Sequence, residues 1–397
     1  MAVSALREKL DGFQKKALLL GVLGLLLGGA SFVFSSTLFY RAYLVAYLFA
    51  ISVPLGSLGL TMLHHMTGGA WGIAIRRLTE ASLRTLPLMA VLFLPVLAGL
   101  WFGDLYSWAD PETVANDPLL QHKEIFLNKE FFTIRAAIYF ALWIAMGLTL
   151  VKLAERHDRT GEKKLVDRMR AISGPGLAIY GVTMTFAAFD WAMSLEPHWF
   201  STIYGMIFVV GQVLTTLCFA IVASSWLARR EPFSRFLKVD HFHDLGTLLF
   251  AFVMLWAYAA LSQYLIIWSA NLAEETPWYL RRTNENWRGV CLILIGLHFF
   301  VPFLLLMSRK VKRVRSLLAT IAFFLFFLRI VDMAWLVLPA YEGGGWGLGL
   351  LSVVLTLGLL GLWFALLIRV AKGRPLVSLQ DASLENLLDV QPGATSH

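Results

Sequence analysis

Two aspartates stand out, each near the end of a long apolar run. The first lies in Phe189-Asp190-Trp191-Ala192-Met193-Ser194-Leu195-Glu196-Pro197-His198-Trp199-Phe200. The second lies in Asp332-Met333-Ala334-Trp335-Leu336-Val337-Leu338-Pro339. In both copies an Ala follows the Asp by two residues, a Trp lies nearby and a Pro follows by seven. An acid inside a bilayer is costly, on the order of 2.5–3.5 kcal/mol at a helix centre on insertion scales. Intramembrane acids and histidines are the groups from which proton relays are built. The chemistry to look for is therefore proton exchange among Asp190, Asp332 and the histidines, with Arg135 and Arg329 as counter-ions.

The elements that must position these groups are helices. The chain of 397 residues is 58% hydrophobic and only 15% charged, with a mean hydropathy of +0.67. Soluble domains carry about 25% charge. Apolar runs of about 20 residues, the length of a transmembrane helix, recur at 17–36, 42–63, 84–103, 132–153, 171–193, 201–228, 242–269, 287–308, 315–338 and 346–370. The runs are continuously apolar, not alternating, which argues against a β-barrel. The expectation is an all-α integral membrane protein of ten transmembrane helices.

The net charge of +8 is a topology signal. Of 34 Lys and Arg residues, 26 fall in alternate connections on one side and 6 on the other, with Arg135 and Arg329 inside spans. By the positive-inside rule, both termini are cytoplasmic. That distribution leaves no case for nucleic acid. The basic stretch Arg7–Lys16 before the first run resembles a signal peptide, with Gly28-Gly29-Ala30-Ser31 as a small-residue stretch. A retained helix is preferred, because cleavage would break the even count. Cys218 and Cys291 lie within apolar runs, and no CxxC or CxxCH is present. The chain is expected to bind neither an iron–sulfur cluster nor covalent haem. Of its histidines only His298 lies near mid-membrane, so haem b is not expected.

Spans 2–5 and 6–9 read as two four-helix bundles. In each, the second and third helices are joined by the longest exterior loop, the third opens with an arginine (Arg135 or Arg288) and the fourth ends in the Asp…Pro pattern. An even helix count per unit makes the repeats parallel, with spans 1 and 10 peripheral. The divisions are 1–41, 42–200, 201–345 and 346–397. Residues 376–390 could form a short amphipathic helix before a terminal 391–397.

Topology then assigns depth. Arg135, Asp190, Gln263, Tyr264, Arg329 and Asp332 belong to the exterior half. His64, His65, His241, His243 and Asp244 lie at the cytoplasmic edge. Tyr180, Thr183, Gln212, Tyr258 and His298 fall between. Two polar clusters approaching from opposite faces are what two proton half-channels require. Structural readings stand beside this. Arg329 and Asp332, at i, i+3, can neutralise each other, and Asp190 can pair with Arg135. His241, His243 and Asp244 can serve a helix start, and His64-His65 can be interfacial. The Trp and Tyr near span ends fit an aromatic belt.

Trp191-Ala192-Met193-Ser194-Leu195-Glu196-Pro197-His198-Trp199-Phe200-Ser201-Thr202-Ile203-Tyr204-Gly205 resembles the alternative complex III membrane subunits of the NrfD/polysulfide-reductase membrane-subunit family. So do His241-Phe242-His243-Asp244-Leu245-Gly246, Ala257-Tyr258, Ser262-Gln263-Tyr264-Leu265-Ile266-Ile267-Trp268-Ser269 and the string Asn271–Arg282. These strings resemble the F-type (ActF) branch, and the likeness extends over most of the ten spans. The resemblance implies a subunit of a respiratory or photosynthetic quinol:electron-acceptor oxidoreductase in a bacterial cytoplasmic (inner) membrane. Its partners would be the NrfD-like sibling of the C type, a multihaem cytochrome c subunit, an iron–sulfur subunit, small membrane subunits and lipid. Haem c, iron–sulfur clusters and quinone would reside in those partners. The loop of the quinol-oxidising C-type sibling reads Pro-Gly-Trp-His; here it reads Pro197-His198-Trp199-Phe200. That departure points to the F-type sibling rather than the quinol-oxidising one, and the resemblance implies for that sibling a non-catalytic subunit that anchors the complex and takes part in coupling electron transfer to proton movement.

Two other readings compete. In one, Asp190, His198 and Trp199 form a quinol site, the carboxylate and imidazole taking the quinol protons. In the other, the chain is an independent secondary transporter, which calls for broken helices at matching places in both halves. Pro54 near Gly56 and Pro95 near Gly99 interrupt the first half, without an equivalent pair in spans 6 and 7.

Overall fold

The computed structural model describes residues 2–231, 233–341 and 345–373; the tail segments 376–390 and 391–397 lie outside them. Among the described residues every regular element is helical. The long or broken elements are α1 (Ala2–Phe34), α2 (Ser36–Thr67), α3 (Ala70–Leu83), α4 (Leu86–Leu92), α5 (Leu94–Phe102), α6 (Lys129–Thr160), α7 (Lys163–Trp191), α8 (Tyr204–Leu227), α9 (Val239–Ala270), α10 (Thr276–Thr283), α11 (Glu285–Ile293), α12 (Val301–Met307), α13 (Arg315–Val337) and α14 (Gly345–Lys372). Among these residues nine helices are long and apolar enough to cross a membrane, and ten if one bent pair counts as a span.

That pair is the third expected span. Its apolar run begins at 84, but the chain is already helical from Ala70 and bends by 42° between Leu83 and Leu86. Pro87, which cannot donate to the carbonyl of Leu83, explains the break, and Pro95 likewise interrupts the ladder between α4 and α5. The eighth span, α11 to α12, is also irregular. Leu294–Phe300 winds as a π-helix, and the Val301 amide bonds to Gly296 O, five residues back. Pro302 cannot donate to the carbonyl of His298, four residues back, so the ordinary helical ladder fails there.

α2 is apolar on all faces and lies at the centre, its most apolar stretch completely enclosed. A helix without a polar face belongs inside. Around it the buried apolar side chains form two clusters. One gathers Tyr47, Phe93, Trp143 and Trp191; the other gathers Leu214, Cys218, Leu249 and Ile321. α8 stands between them, packed on α2 and α7 on one side and on α9 and α13 on the other.

The first and last helices meet along a glycine seam. A Cβ on Gly24 would lie 2.7 Å from the Gly358 Cα, and one on Gly361 would lie 2.7 Å from Ala17 O. Such close backbone approach is the usual basis of helix pairing in lipid, where the hydrophobic effect no longer drives association. α1 remains largely exposed, consistent with a peripheral position.

Candidate functional site

Four polar groupings are built into the bundle. The first joins the start of α6 to the end of α7. Arg135 grips Asp190 with two bonds, Nε to Oδ2 at 2.9 Å and Nη2 to Oδ1 at 2.7 Å. The Tyr139 hydroxyl donates to Oδ2 at 2.9 Å. The guanidinium also donates to Phe126 O at 3.0 Å and lies between the Phe126 and Phe131 rings, 4.0 and 4.2 Å from their centroids. Asp190 is fully buried and both its oxygens are engaged. This is a closed pair, and its geometry matches the structural reading of Asp190.

The second grouping lies between α8, α9, α13 and the π segment. Arg329 pairs with Asp332 on its own helix and donates Nε to Thr215 Oγ1 at 3.3 Å. Its guanidinium occupies the space that a side chain at Gly211 would need. His298 is completely buried, and neither ring nitrogen has a hydrogen-bond partner among the described residues. Its ring lies 4.1 Å, centroid to centroid, from Trp256. The Trp256 indole NH has no hydrogen-bond partner among the described residues. Asp332 is thus held by one arginine from one side, a looser arrangement than Asp190.

Next to Gly211 on α8 is Gln212. Tyr180 donates to Gln212 Oε1 at 2.7 Å, and Gln212 Nε2 reaches Met184 Sδ at 3.0 Å. Thr183 is occupied locally, accepting from Trp143 Nε1 at 2.9 Å. Thr216 donates towards Val53 O at 3.0 Å, beside Pro54. α8 therefore carries polar links to both apolar clusters.

The third grouping, on the Arg135 side of the bundle, was not singled out from the sequence. Glu196 receives Arg281 Nη1 at 2.8 Å and Arg282 Nη2 at 2.7 Å. Arg282 is buried, donates to Trp278 O and Leu336 O and lies 3.7 Å from the Trp278 ring centroid. Burial pushes its guanidinium below the ordinary value and the Glu196 carboxylate pushes it back up. Trp199 stacks on Trp278 at 4.6 Å, and Trp335 meets Trp278 edge-on at 5.6 Å. Gln263 joins this end, accepting from Ser201 at 3.0 Å. Tyr264 stacks on Trp268 at 5.7 Å.

The fourth is at the opposite end. His65 Nδ1 lies 3.0 Å from Ser173 Oγ, and His64 packs edge-on against Trp71 at 5.2 Å. Beside them, Arg76 and Arg77 bind both Glu80 and Asp158. Arg76 and Arg77 precede Glu80 at pair-forming spacing, a signal readable in the sequence. Asp158 comes from α6 and was not.

Several expected residues are not brought together. Tyr258 is 65% exposed on the outer face of α9. Helical phase explains it: Trp256, Ala259 and Gln263 turn inward, and position 258 falls opposite them. Its side chain is turned away from the enclosed polar groups. His241 accepts from the Lys238 amide at 3.0 Å as part of the start of α9. His243 lies 3.6 Å from Asp244 near the same end. These three form a helix start, as the structural reading has it. Of the alternative quinol set, Asp190 is bonded by Arg135, His198 is exposed and 2.8 Å from Asp117, and Trp199 is stacked on Trp278. Lys123 secures that loop by donating to Pro197 O at 2.6 Å; burial lowers its ammonium below the ordinary lysine value. The correspondence of Arg288 with Arg135 also fails, because Arg288 is exposed and Asp332 takes its arginine from α13.

The fold and its enclosed ionisable groups define a helical, multi-pass membrane protein. No family model and no curated protein sequence matches the chain. Among the described residues no group of three or more His, Cys, Asp or Glu side chains is arranged to hold a metal ion.

Proposed function

We propose that this chain is a cofactor-free membrane subunit, of the F type, in an alternative complex III-like quinol:electron-acceptor oxidoreductase of a bacterial cytoplasmic membrane. It anchors the complex and carries protons while a sibling subunit oxidises quinol. The family reading rests on the strings at 191–205 and 241–282. The observation that carries proton conduction is His298, a fully buried imidazole with no hydrogen-bond partner among the described residues, next to the Arg329–Asp332 pair. Burial of an unpaired polar group costs about 1–3 kcal/mol, and π-helical segments recur at functional sites. Both features are retained here in one place.

In this reading α2–α7 and α8–α13 are two parallel four-helix units, both termini face the cytoplasm, and α8 joins the half-channels. Protons pass between the His64 side and the Arg135 side through Tyr180, Gln212, His298 and Asp332. Arg135–Asp190 serves as a fixed frame. The partners are the NrfD-like C-type sibling, the multihaem cytochrome c and iron–sulfur subunits, small membrane subunits and lipid.

The test is the proton-to-electron ratio of the purified complex in liposomes, Asp332→Asn against wild type. A lower ratio with normal quinol oxidation is expected. An unchanged ratio with normal oxidation would leave an anchor alone. Loss of oxidation in an intact complex would favour a catalytic quinol site.

A further inference from the structure

The end of the bundle that carries His64 holds a buried acid with no part in the relay described so far. Glu80, on α3, is only 4% exposed. Its oxygens receive Arg76 Nε at 2.7 Å and Arg77 Nη1 at 3.1 Å. Both arginines also bind Asp158 on α6, each at 2.8 Å. Two cations therefore share two carboxylates. Either acid can take up a proton without leaving an arginine unpaired, because each arginine keeps its bond to the other.

Against Glu80 opens a small cleft between α2, α3 and α6. Thr61, His64, His65 and Thr79 line it together with Glu80, and Leu60 and Leu150 close its sides. It has room for about one water molecule. Thr61 is 9% exposed, and its hydroxyl has no hydrogen-bond partner among the described residues. The cleft is walled mostly by apolar surface and bordered by Arg76, Glu80, Thr79 and the two imidazoles, and in a space of this size the unpartnered Thr61 hydroxyl makes a water site, where the hydroxyl finds its missing partner.

We infer that this cleft is a proton-intake site, in which a water bound by Thr61 passes protons between Glu80 and the His64–His65 pair. The step is a proton exchange without redox change. Glu80 accepts a proton from the aqueous side and gives it to the water, and the water gives one on to His65. From there the Ser173 hydroxyl, 3.0 Å from His65, leads along α7. Ser173 and Tyr180 lie two turns apart, about 10 Å along the axis, on one face of that helix, and Tyr180 bonds Gln212. The inference rests on the proton-carrying reading above and gives it a starting residue.

The experiment uses the whole complex in liposomes, with quinol oxidation and proton release recorded together. Glu80→Gln, Glu80→Asp and Asp332→Asn are compared with wild type. A positioned proton donor contributes on the order of 10²–10⁴ in transfer rate, so Glu80→Gln should nearly abolish the protons carried by this subunit. Electron transfer should continue, and Glu80→Asp should restore part of the ratio. A purely structural Glu80 would let Gln, which keeps the shape, retain the ratio. If Asp332→Asn lowers the ratio and Glu80→Gln does not, the intake site is wrong and the relay stands. If Asp332→Asn has no effect, the relay itself is wrong, and the intake site with it. If Glu80→Gln fails to assemble, Thr61→Val decides: it removes the hydroxyl at nearly constant volume and should lower the ratio, while a wild-type ratio overturns the proposal.

Discussion

Replacing Asp190 tests how much of the bundle rests on one closed pair. Asp190→Leu removes the carboxylate and its charge. Arg135, 7% exposed, is then left with Phe126 O and two phenyl rings. Breaking a buried pair by removing one partner costs about 3–5 kcal/mol. Arg135→Leu leaves the carboxylate with Tyr139 alone and should cost a similar amount. Changing both residues to Leu removes both charges, and a buried pair replaced by apolar groups is often neutral. What remains is the Tyr139 hydroxyl without its acceptor, worth about 1–3 kcal/mol. The single changes should therefore sum to about 6–10 kcal/mol, while the double change costs about 1–3. The assay is equilibrium unfolding of the purified protein in mixed micelles, run as a double-mutant cycle. A double variant as unstable as the sum of the singles would refute the pairing argument and assign each residue a separate role.

His298→Phe fills the same space without ring nitrogens; it should leave the bundle as stable as wild type or more so while lowering protons moved per electron in liposomes. Tyr258→Phe, on the outer face, should change neither stability nor that ratio, and a lowered ratio would reinstate Tyr258 in the pathway. Gly24→Leu or Gly358→Leu puts a side chain into backbone at the α1–α14 seam; overpacking of this kind costs about 1–3 kcal/mol, read as an earlier unfolding transition in micelles. Glu196→Gln should lower stability by a few kcal/mol, since it leaves the buried Arg282 without its anion; an unchanged unfolding midpoint would contradict this.

The helices were legible because a bilayer span is set by length and apolarity alone. Nothing in the sequence revealed that residues 70–83 would extend the third span past Arg84, because a stretch with Arg76, Arg77 and Glu80 does not read as apolar. Those charges are tolerated since Asp158, nearly eighty residues away in sequence, completes a neutral network. The Arg135–Asp190 pair was readable as an option and the Arg329–Asp332 pair as another, since both used spacing or shared depth. Glu196 with Arg282 was hidden for the opposite reason: both sit in connections, where charge is unremarkable, and only the packing of Trp199 on Trp278 buries them. The outward face of Tyr258 was not legible because depth along a helix was assigned without its rotation. In a helix that is apolar all round, hydrophobic phase says little about which face is inward.

The two aspartates began as equivalents, and their surroundings now separate them. Asp190 is held by Arg135 from a neighbouring helix with two bonds and by Tyr139 with a third. Changing its charge would require that frame to open. Asp332 is held by Arg329 from one turn away on its own helix, so the pair can form or release without moving one helix against another. Arg329 in turn rests against Gly211 and Thr215 on α8, the helix whose Gln212 is bonded by Tyr180 of α7. A change in protonation at Asp332 would shift Arg329 against α8 and be felt at Gln212. Two aspartates in the same sequence pattern thus end in different settings, one framed from a neighbouring helix and one paired within its own, and the arginine's helix of origin is what distinguishes them.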